Sequence, residues 1–123
     1  MLKFYKCSEC DSIVTFVKNS GVDMTCNGSA MVEIIPGTTD AAVEKHVPEV
    51  KIEGNKVIVD VGAVTHPMTE AHLIEFIAIE TKKGSQIKYL TAEDAPHAEF
   101  VLAEGDEFVA AYEYCNLHGL WKK

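Results

Sequence analysis

Short runs of apolar residues alternating with polar ones recur through the C-terminal part of this chain. Segment 73–80 resembles a helix at first reading, but its β-branched and aromatic content and its length of eight residues favour a strand. Similar composition predicts further strands on either side of it. The predicted strands are 49–52, 56–61, 73–80, 86–90, 98–102 and 107–114.

Turn-forming residues separate these predicted strands. Segments 53–55, 82–85 and 103–106 contain Gly, Asn, Asp or Ser, which supply the backbone conformations that tight turns need. Successive strands are therefore expected to pair as antiparallel hairpins. Several short strands at this spacing predict an all-β fold with a β-sandwich architecture.

A polar linker that begins at Pro36-Gly37-Thr38-Thr39 marks a domain boundary. It separates an N-terminal module, residues 1–36, which carries three of the four cysteines, from the strand-rich domain at 37–123. A chain of 123 residues is long enough for one modest core and a small appended module.

The net charge and hydropathy of the chain argue against nucleic acids and membranes as partners. The net charge is −8, with 11 lysines and no arginine, and nucleic acids or anionic membranes require clustered positive charge. Apolar runs fall far short of the roughly 20 residues of a spanning helix. The start, Met1 to Lys6, lacks the apolar core of a signal peptide. We expect a cytoplasmic protein that binds neither nucleic acid nor membrane.

The candidate chemistry lies in histidines and one cysteine. Cys115 and His118 stand three residues apart after a predicted strand, His66 and His72 bracket a loop, and His46 is placed on a loop before Val47-Pro48. Each residue alone is more often structural or exposed than a ligand. Together they exceed the four ligands of a closed zinc site, and mixed nitrogen and sulfur donors favour redox iron with an open position.

Three sequence motifs, 44–48, 65–72 and 114–121, resemble the desulfoferrodoxin family of superoxide reductases, and the resemblance covers nearly the whole chain. It implies an immunoglobulin-like sandwich holding one iron per chain, with four basal histidines and an axial cysteine. The implied reaction is one-electron reduction of superoxide to hydrogen peroxide. The resemblance also implies a rubredoxin-like electron donor and a homodimer. The implied iron ligands are His46, His66, His72, Cys115 and His118.

The resemblance also implies roles for residues that surround the iron. Lys45 is the candidate for attracting superoxide and assisting protonation, and Glu44 for occupying the sixth position in the oxidised state. Backbone N–H groups near Leu117 and His118 are candidate donors to the axial sulfur. His97 matches no ligand position and is expected at the surface.

The N-terminal module resembles desulforedoxin through Cys7, Cys10 and Cys26, but Asn27 stands where the family has a second adjacent cysteine. An amide oxygen is a harder ligand than a thiolate, so a four-sulfur iron centre cannot form within one chain. An empty module, a labile three-thiolate site, occasional zinc and oxidation of Cys7 with Cys10 remain open. We favour absent or substoichiometric metal, and the Cys-x-x-Cys spacing fits metal or redox use better than a secreted disulfide framework.

Two other functions remain as alternatives. A superoxide dismutase at the same iron would oxidise as well as reduce its substrate and would need no electron donor. A non-catalytic iron electron-transfer protein would have no use for an open coordination position.

Overall fold

The structure is a computed structural model that describes residues 1–123. The chain divides into two compact units, Met1–Ile35 and Pro36–Lys123, named unit 1 and unit 2 below. No helix in it is long and apolar enough to cross a membrane.

Unit 1 consists of five two-residue strands. They are β1 Tyr5–Lys6, β2 Ile13–Val14, β3 Thr25–Cys26, β4 Ser29–Ala30 and β5 Val32–Glu33. β1 lies between β2 and β5 in one antiparallel sheet, and β3 pairs with β4 in a separate hairpin. The two residues that join β3 to β4, Asn27 and Gly28, both have positive φ, at 50° and 86°. A two-residue hairpin with this backbone prefers Asn-Gly, so Asn27 suits the turn it occupies.

Unit 2 contains one turn of helix and seven strands. They are α1 Val43–His46, β6 Pro48–Glu53, β7 Lys56–Val61, β8 Ile74–Thr81, β9 Gly84–Tyr89, β10 His97–Val101, β11 Phe108–Cys115 and β12 Gly119–Lys122. A three-stranded sheet has the order β10-β7-β6, and a four-stranded sheet has the order β12-β11-β8-β9. All pairings are antiparallel.

The core of unit 2 lies between these two sheets. Every second residue of β7 is buried, as expected for a strand with one face on a core. β8 and β11 of the other sheet contribute Ile77, Ile79 and Ala111 to the same cluster. Cys115 belongs to this cluster as well, so the sulfur lies where the core meets the end of the sandwich. The all-β fold predicted from the sequence is confirmed.

All six predicted strands are present; β7 has both of its predicted ends, and the ends of the others are shifted by one or two residues. The sequence interpretation missed β12 and the short strands of unit 1. It also placed His46 on a loop, which is wrong: His46 is the last residue of α1. The helix spans only one turn, too short for a periodic pattern to reveal it.

Candidate metal centre

His46 presents one ring nitrogen to the interior. Its Nδ1 donates a hydrogen bond to the Ala42 carbonyl at 2.8 Å, within the turn that forms α1. A neutral imidazole has one N–H, so this bond leaves Nε2 with a lone pair. Trp121 stacks on the ring with centroids 5.1 Å apart, and His46 is only 2% exposed. The side chain is held in one orientation by a carbonyl and an indole.

The helical turn that carries His46 is fixed by close backbone contact with Gly62. A Cβ atom at Gly62 would lie 2.6 Å from the carbonyl oxygens of Lys45 and Val64 and 2.7 Å from that of Glu44. The φ of Gly62 is +81°, a conformation that other residues rarely adopt. The Val64 N–H donates to the Glu44 carbonyl at 2.9 Å. Only glycine allows the β7 end and α1 to approach this closely.

His66 and His72 lie in the connection from β7 to β8. His66 Nδ1 donates to the Pro67 carbonyl at 2.6 Å, which leaves its Nε2 free of a proton. That Nε2 lies 3.2 Å from Nε2 of His46. Reciprocal backbone bonds between Thr69 and His72, at 2.9 and 3.1 Å, close the intervening loop. His72 Nε2 is buried and has no hydrogen-bond partner.

Cys115 is the last residue of β11, and His118 lies in the turn before β12. The Cys115 thiol is free and the residue is fully buried. His118 Nδ1 lies 3.9 Å from Cys115 Sγ and 3.1 Å from Nε2 of His46. The Trp121 indole N–H donates to the His118 carbonyl at 3.0 Å, so the residue that stacks on His46 also fixes this turn.

Asn116 connects the two loops that carry the remaining ligand candidates. Its Oδ1 accepts from the Leu73 N–H and its Nδ2 donates to the Ala71 carbonyl, both at 3.1 Å. These residues flank His72, whereas Asn116 itself lies between Cys115 and His118. The sequence interpretation gave no role to Asn116, Trp121 or Gly62. Their contacts depend on residues far away in the chain, so no local signal indicated them.

Burial controls the protonation of the histidines. Desolvation lowers the pKa of His66 to about 4 and also lowers the pKa of His46 and of His72. The three imidazoles are therefore neutral at physiological pH, which is the form that binds metals. Burial raises the pKa of the Cys115 thiol, and hydrogen bonds from the backbone N–H groups of Leu117 and His118 oppose that rise. These are the sulfur donors that the sequence led us to expect.

The donor atoms fit a bound transition-metal ion. One ligand atom from each of His46, His66, His72 and Cys115 lies within 4.8 Å of all the others, and His118 Nδ1 borders the same group. Because His46 and His66 both donate through Nδ1, their Nε2 lone pairs face each other at 3.2 Å. Facing lone pairs in a buried site repel each other unless a cation lies between them. Nitrogen donors with one thiolate are a ligand set for iron or another soft-to-borderline metal.

Two charged residues precede His46 on α1. Glu44 and Lys45 are both exposed. The positive charge of Lys45 contributes to the lowered pKa of His46 and of His72, which places that charge near the ligand cluster. His97 lies apart on β10, where its ring bonds to Asp60 at 2.7 Å and to Glu99 at 3.0 Å. These carboxylates raise the pKa of His97, in contrast to the buried histidines.

The three cysteines of unit 1 do not form a four-sulfur metal site. Cys7 and Cys26 are joined by a disulfide, and Cys10 is a free, exposed thiol whose Sγ lies 3.8 Å from that of Cys26. The pairing that we considered from the sequence, Cys7 with Cys10, is therefore not the one in the structure. Hydrogen bonds from Ser12 lower the pKa of the Cys10 thiol. Asn27, in the β3–β4 turn, adds no sulfur, so the residues present do not fit a second tetrathiolate iron.

An all-β sandwich with nitrogen and sulfur donors buried at one end defines a class of mononuclear metalloproteins. Comparison with known sequences places the chain within that class. The sequence model of the Desulfoferrodoxin family matches residues 38–123. This chain belongs to the desulfoferrodoxin family, which confirms the resemblance noted in its motifs.

Individual relatives match almost the full chain. A desulfoferrodoxin of Nitratidesulfovibrio vulgaris is 45% identical over 120 residues, which cover 98% of this chain and 94% of the relative. A desulfoferrodoxin homolog of Archaeoglobus fulgidus is 42% identical over 122 residues, covering 99% and 96%.

Solved structures share the fold. The superoxide reductase of Treponema pallidum superposes with a TM-score of 0.84 at 37% identity, covering 100% of this chain and 98% of that one. The 1Fe superoxide reductase of Giardia intestinalis has a TM-score of 0.57 at 36% identity and covers 65% of this chain and 95% of its own.

Proposed function

We propose that this protein is a superoxide reductase whose iron is held in unit 2. The observation that carries the proposal is the convergence of imidazole nitrogens and one thiol in a buried site with facing, unprotonated lone pairs. The ligands we propose are His46, His66, His72, His118 and Cys115. The solved superoxide reductases that share its fold support this activity.

The residues around the site prepare it for metal. Iron held by these residues would supply the single electron that, with two protons, converts superoxide into hydrogen peroxide. The carbonyls of Ala42 and Pro67 hold two imidazoles in the ligand tautomer before any metal arrives, so little reorganisation is required. Trp121, which is 5% exposed, covers one side of His46 and excludes water from it.

The protein also controls the charge on the sulfur. Hydrogen bonds from Leu117 and His118 stabilise the Cys115 thiolate inside an apolar core that otherwise disfavours it. Such bonds withdraw electron density from the sulfur and so tune the reduction potential of a bound metal. We infer that this balance would leave a metal held by Cys115 able to act as a reversible one-electron donor.

Lys45 is the residue that we propose attracts superoxide. The net charge of −8 repels anions in general, so a local positive field is needed at the site. Lys45 is exposed, and its charge acts on two of the ligand histidines. For Glu44, on the same turn, we propose the role of an added carboxylate ligand in the oxidised protein.

The electron donor, assembly and location belong to the same proposal. One electron is consumed for each superoxide, so a one-electron carrier such as a small rubredoxin-like protein suits the site. We further propose a homodimer, as the family resemblance implies, and a cytoplasmic location, as the hydropathy of the chain led us to expect. Sedimentation of the purified protein and fractionation of the source cells are the measurements for these two points.

Stoichiometry tests the activity directly. A known quantity of superoxide is added to the reduced, iron-loaded protein, and hydrogen peroxide and oxygen are measured. A reductase yields one hydrogen peroxide for each superoxide and no oxygen. Release of oxygen with half that yield of peroxide, faster than in a sample without protein, would instead identify a dismutase, and loss of superoxide no faster than in that sample would favour an electron carrier. Binding of azide to the oxidised protein would independently show an open coordination position.

A further inference from the structure

The sulfur cluster of unit 1, formed by Cys7, Cys10 and Cys26, contains a disulfide and a free thiol close together. The three Sγ atoms all lie within 4.8 Å of one another. Two of them, on Cys7 and Cys26, share a disulfide, and the third, on Cys10, is a thiol. A thiol beside a disulfide is the arrangement that thiol–disulfide exchange requires.

We propose that Cys7, Cys10 and Cys26 form a thiol–disulfide exchange site that accepts electrons from external dithiols. Cys26 is the shared sulfur, since it is bonded to Cys7 and lies 3.8 Å from Cys10. Exchange moves the disulfide between the pairs Cys7–Cys26 and Cys10–Cys26. This activity goes beyond superoxide reduction and does not depend on it.

The two forms of the disulfide differ in access. Cys7 is 1% exposed, whereas Cys10 lies on an exposed loop between β1 and β2. An external reductant therefore reaches the Cys10–Cys26 form more easily than the Cys7–Cys26 form. Attack requires the three sulfurs to align, and an exposed side chain such as Cys10 rotates between rotamers within nanoseconds. Cys10 thus acts as the entry point for a disulfide in which Cys7 is buried and Cys26 is partly exposed.

The chemistry balances at each step. The Cys10 thiolate attacks Cys26 Sγ, a Cys10–Cys26 bond forms, and the Cys7–Cys26 bond breaks with Cys7 leaving as a thiolate. An external dithiol then attacks Cys10 Sγ, forming a mixed disulfide and releasing Cys26. The second thiol of the reductant displaces Cys10. In total two electrons and two protons pass from the dithiol to unit 1, and the dithiol becomes a disulfide.

Two features of the chain favour exchange over a permanent cross-link or a metal. Asn27 removes the fourth sulfur that a tetrahedral iron site would need. In the proposed cytoplasmic location, disulfides are usually transient and catalytic or redox-sensing. Unit 1 would then carry out thiol–disulfide exchange independently of unit 2.

The test measures how fast the disulfide is reduced in the full-length, metal-loaded protein. Dithiothreitol is added, samples are quenched in acid and alkylated, and the state of each cysteine is read by peptide mass. We expect Cys10→Ser to slow reduction by about tenfold, because the exposed entry sulfur is lost. Ser8→Ala, at an exposed residue of the same loop, is the matched control, and its disulfide should be reduced at the wild-type rate.

Disulfide mapping provides a second measurement that needs no variant. Acid-quenched wild-type protein should contain a minor Cys10–Cys26 species beside the major Cys7–Cys26 one. Blocking Cys10 with N-ethylmaleimide before reduction should reproduce the slow rate of Cys10→Ser without any change of sequence. Superoxide reduction should stay the same in all of these samples.

Two results would overturn the proposal. One is equal reduction rates with and without a free Cys10. The other is full occupancy of unit 1 by iron or zinc, with all three cysteines reduced in the protein as isolated. Neither result would affect the assignment of superoxide reduction to unit 2.

Discussion

The two units use sulfur in opposite ways. Cys115 in unit 2 is fully buried, and the donor atoms around it are imidazole nitrogens. The sulfurs of unit 1 have other sulfurs as neighbours, and one of them is exposed. Imidazoles complete a metal site around a lone thiol, whereas clustered thiols without a full ligand set oxidise. The neighbours of a cysteine, more than the residue itself, decide its chemistry.

Cys115→Ser should produce the largest effect. We expect loss of the iron's thiolate absorption band and a fall in the rate of superoxide reduction of more than about 100-fold, because even outer-shell changes cost 10–100-fold. Iron content, the visible spectrum after mild oxidation, and pulse radiolysis are the measurements. Cys10→Ser is the control and should leave all three unchanged. An unaltered spectrum in Cys115→Ser would remove this residue from the ligand set.

Asn27→Cys should convert the sulfur cluster of unit 1 into a metal site. The fourth thiolate completes a tetrahedral set, so we expect about one additional iron per chain with the absorption of a ferric tetrathiolate centre. Asn27→Gly is the matched control, because it accepts the positive φ of 50° and adds no ligand. If the unaltered protein already shows that spectrum at full occupancy, the contrast between the units is wrong.

Lys45→Ala should have an intermediate effect confined to unit 2. We expect the second-order rate with superoxide to fall by about tenfold, and the decline of the rate with ionic strength to disappear, because the local attraction is lost. Pulse radiolysis across a salt series measures both. Lys51→Ala removes the same charge from a lysine paired with Glu53 and should change the rate little. Glu44→Ala should alter the spectrum and anion affinity of the oxidised protein instead.

Deletion of residues 1–35 should have the smallest effect on superoxide reduction. Unit 2 contains every proposed iron ligand, so iron content and the rate of superoxide reduction should stay within about twofold of the full chain. A factor of about two corresponds to the ±0.5 kcal/mol that is typical of changes away from a functional site. A truncated protein that folds but has lost both iron and activity would show that the units are functionally coupled.

The sequence predicted those features that local patterns encode. Alternation along 56–61 predicted β7 with both of its ends, because one face of the strand packs on the core. β12 escaped notice since it has four residues and follows the Cys115–His118 motif without a break. The pairing of Cys7 with Cys26 and the packing of Gly62 depend on tertiary contact between distant segments. No periodicity or spacing reports such contacts.

In the candidate site, too, some features could be predicted from local patterns and others depend on tertiary contacts. Its five residues could be proposed from their chemistry and motifs, but their tautomers could not, since these depend on the carbonyls of Ala42 and Pro67. The role of Trp121 could not be predicted either, because it depends on the contact that β12 makes with His46.

The order of the ligand residues along the chain has a consequence for biosynthesis. His46 precedes the first strand of the three-stranded sheet, His66 and His72 lie in the connection between the sheets, and Cys115 and His118 belong to the last hairpin. A ribosome releases the two final ligands only after almost all of the sandwich has been made. Iron captured earlier would have at most three imidazoles and no sulfur. Complete loading therefore requires that the last hairpin of unit 2 has been made, and an ion held by the proposed ligands would join the first and last segments of unit 2 as a late cross-link.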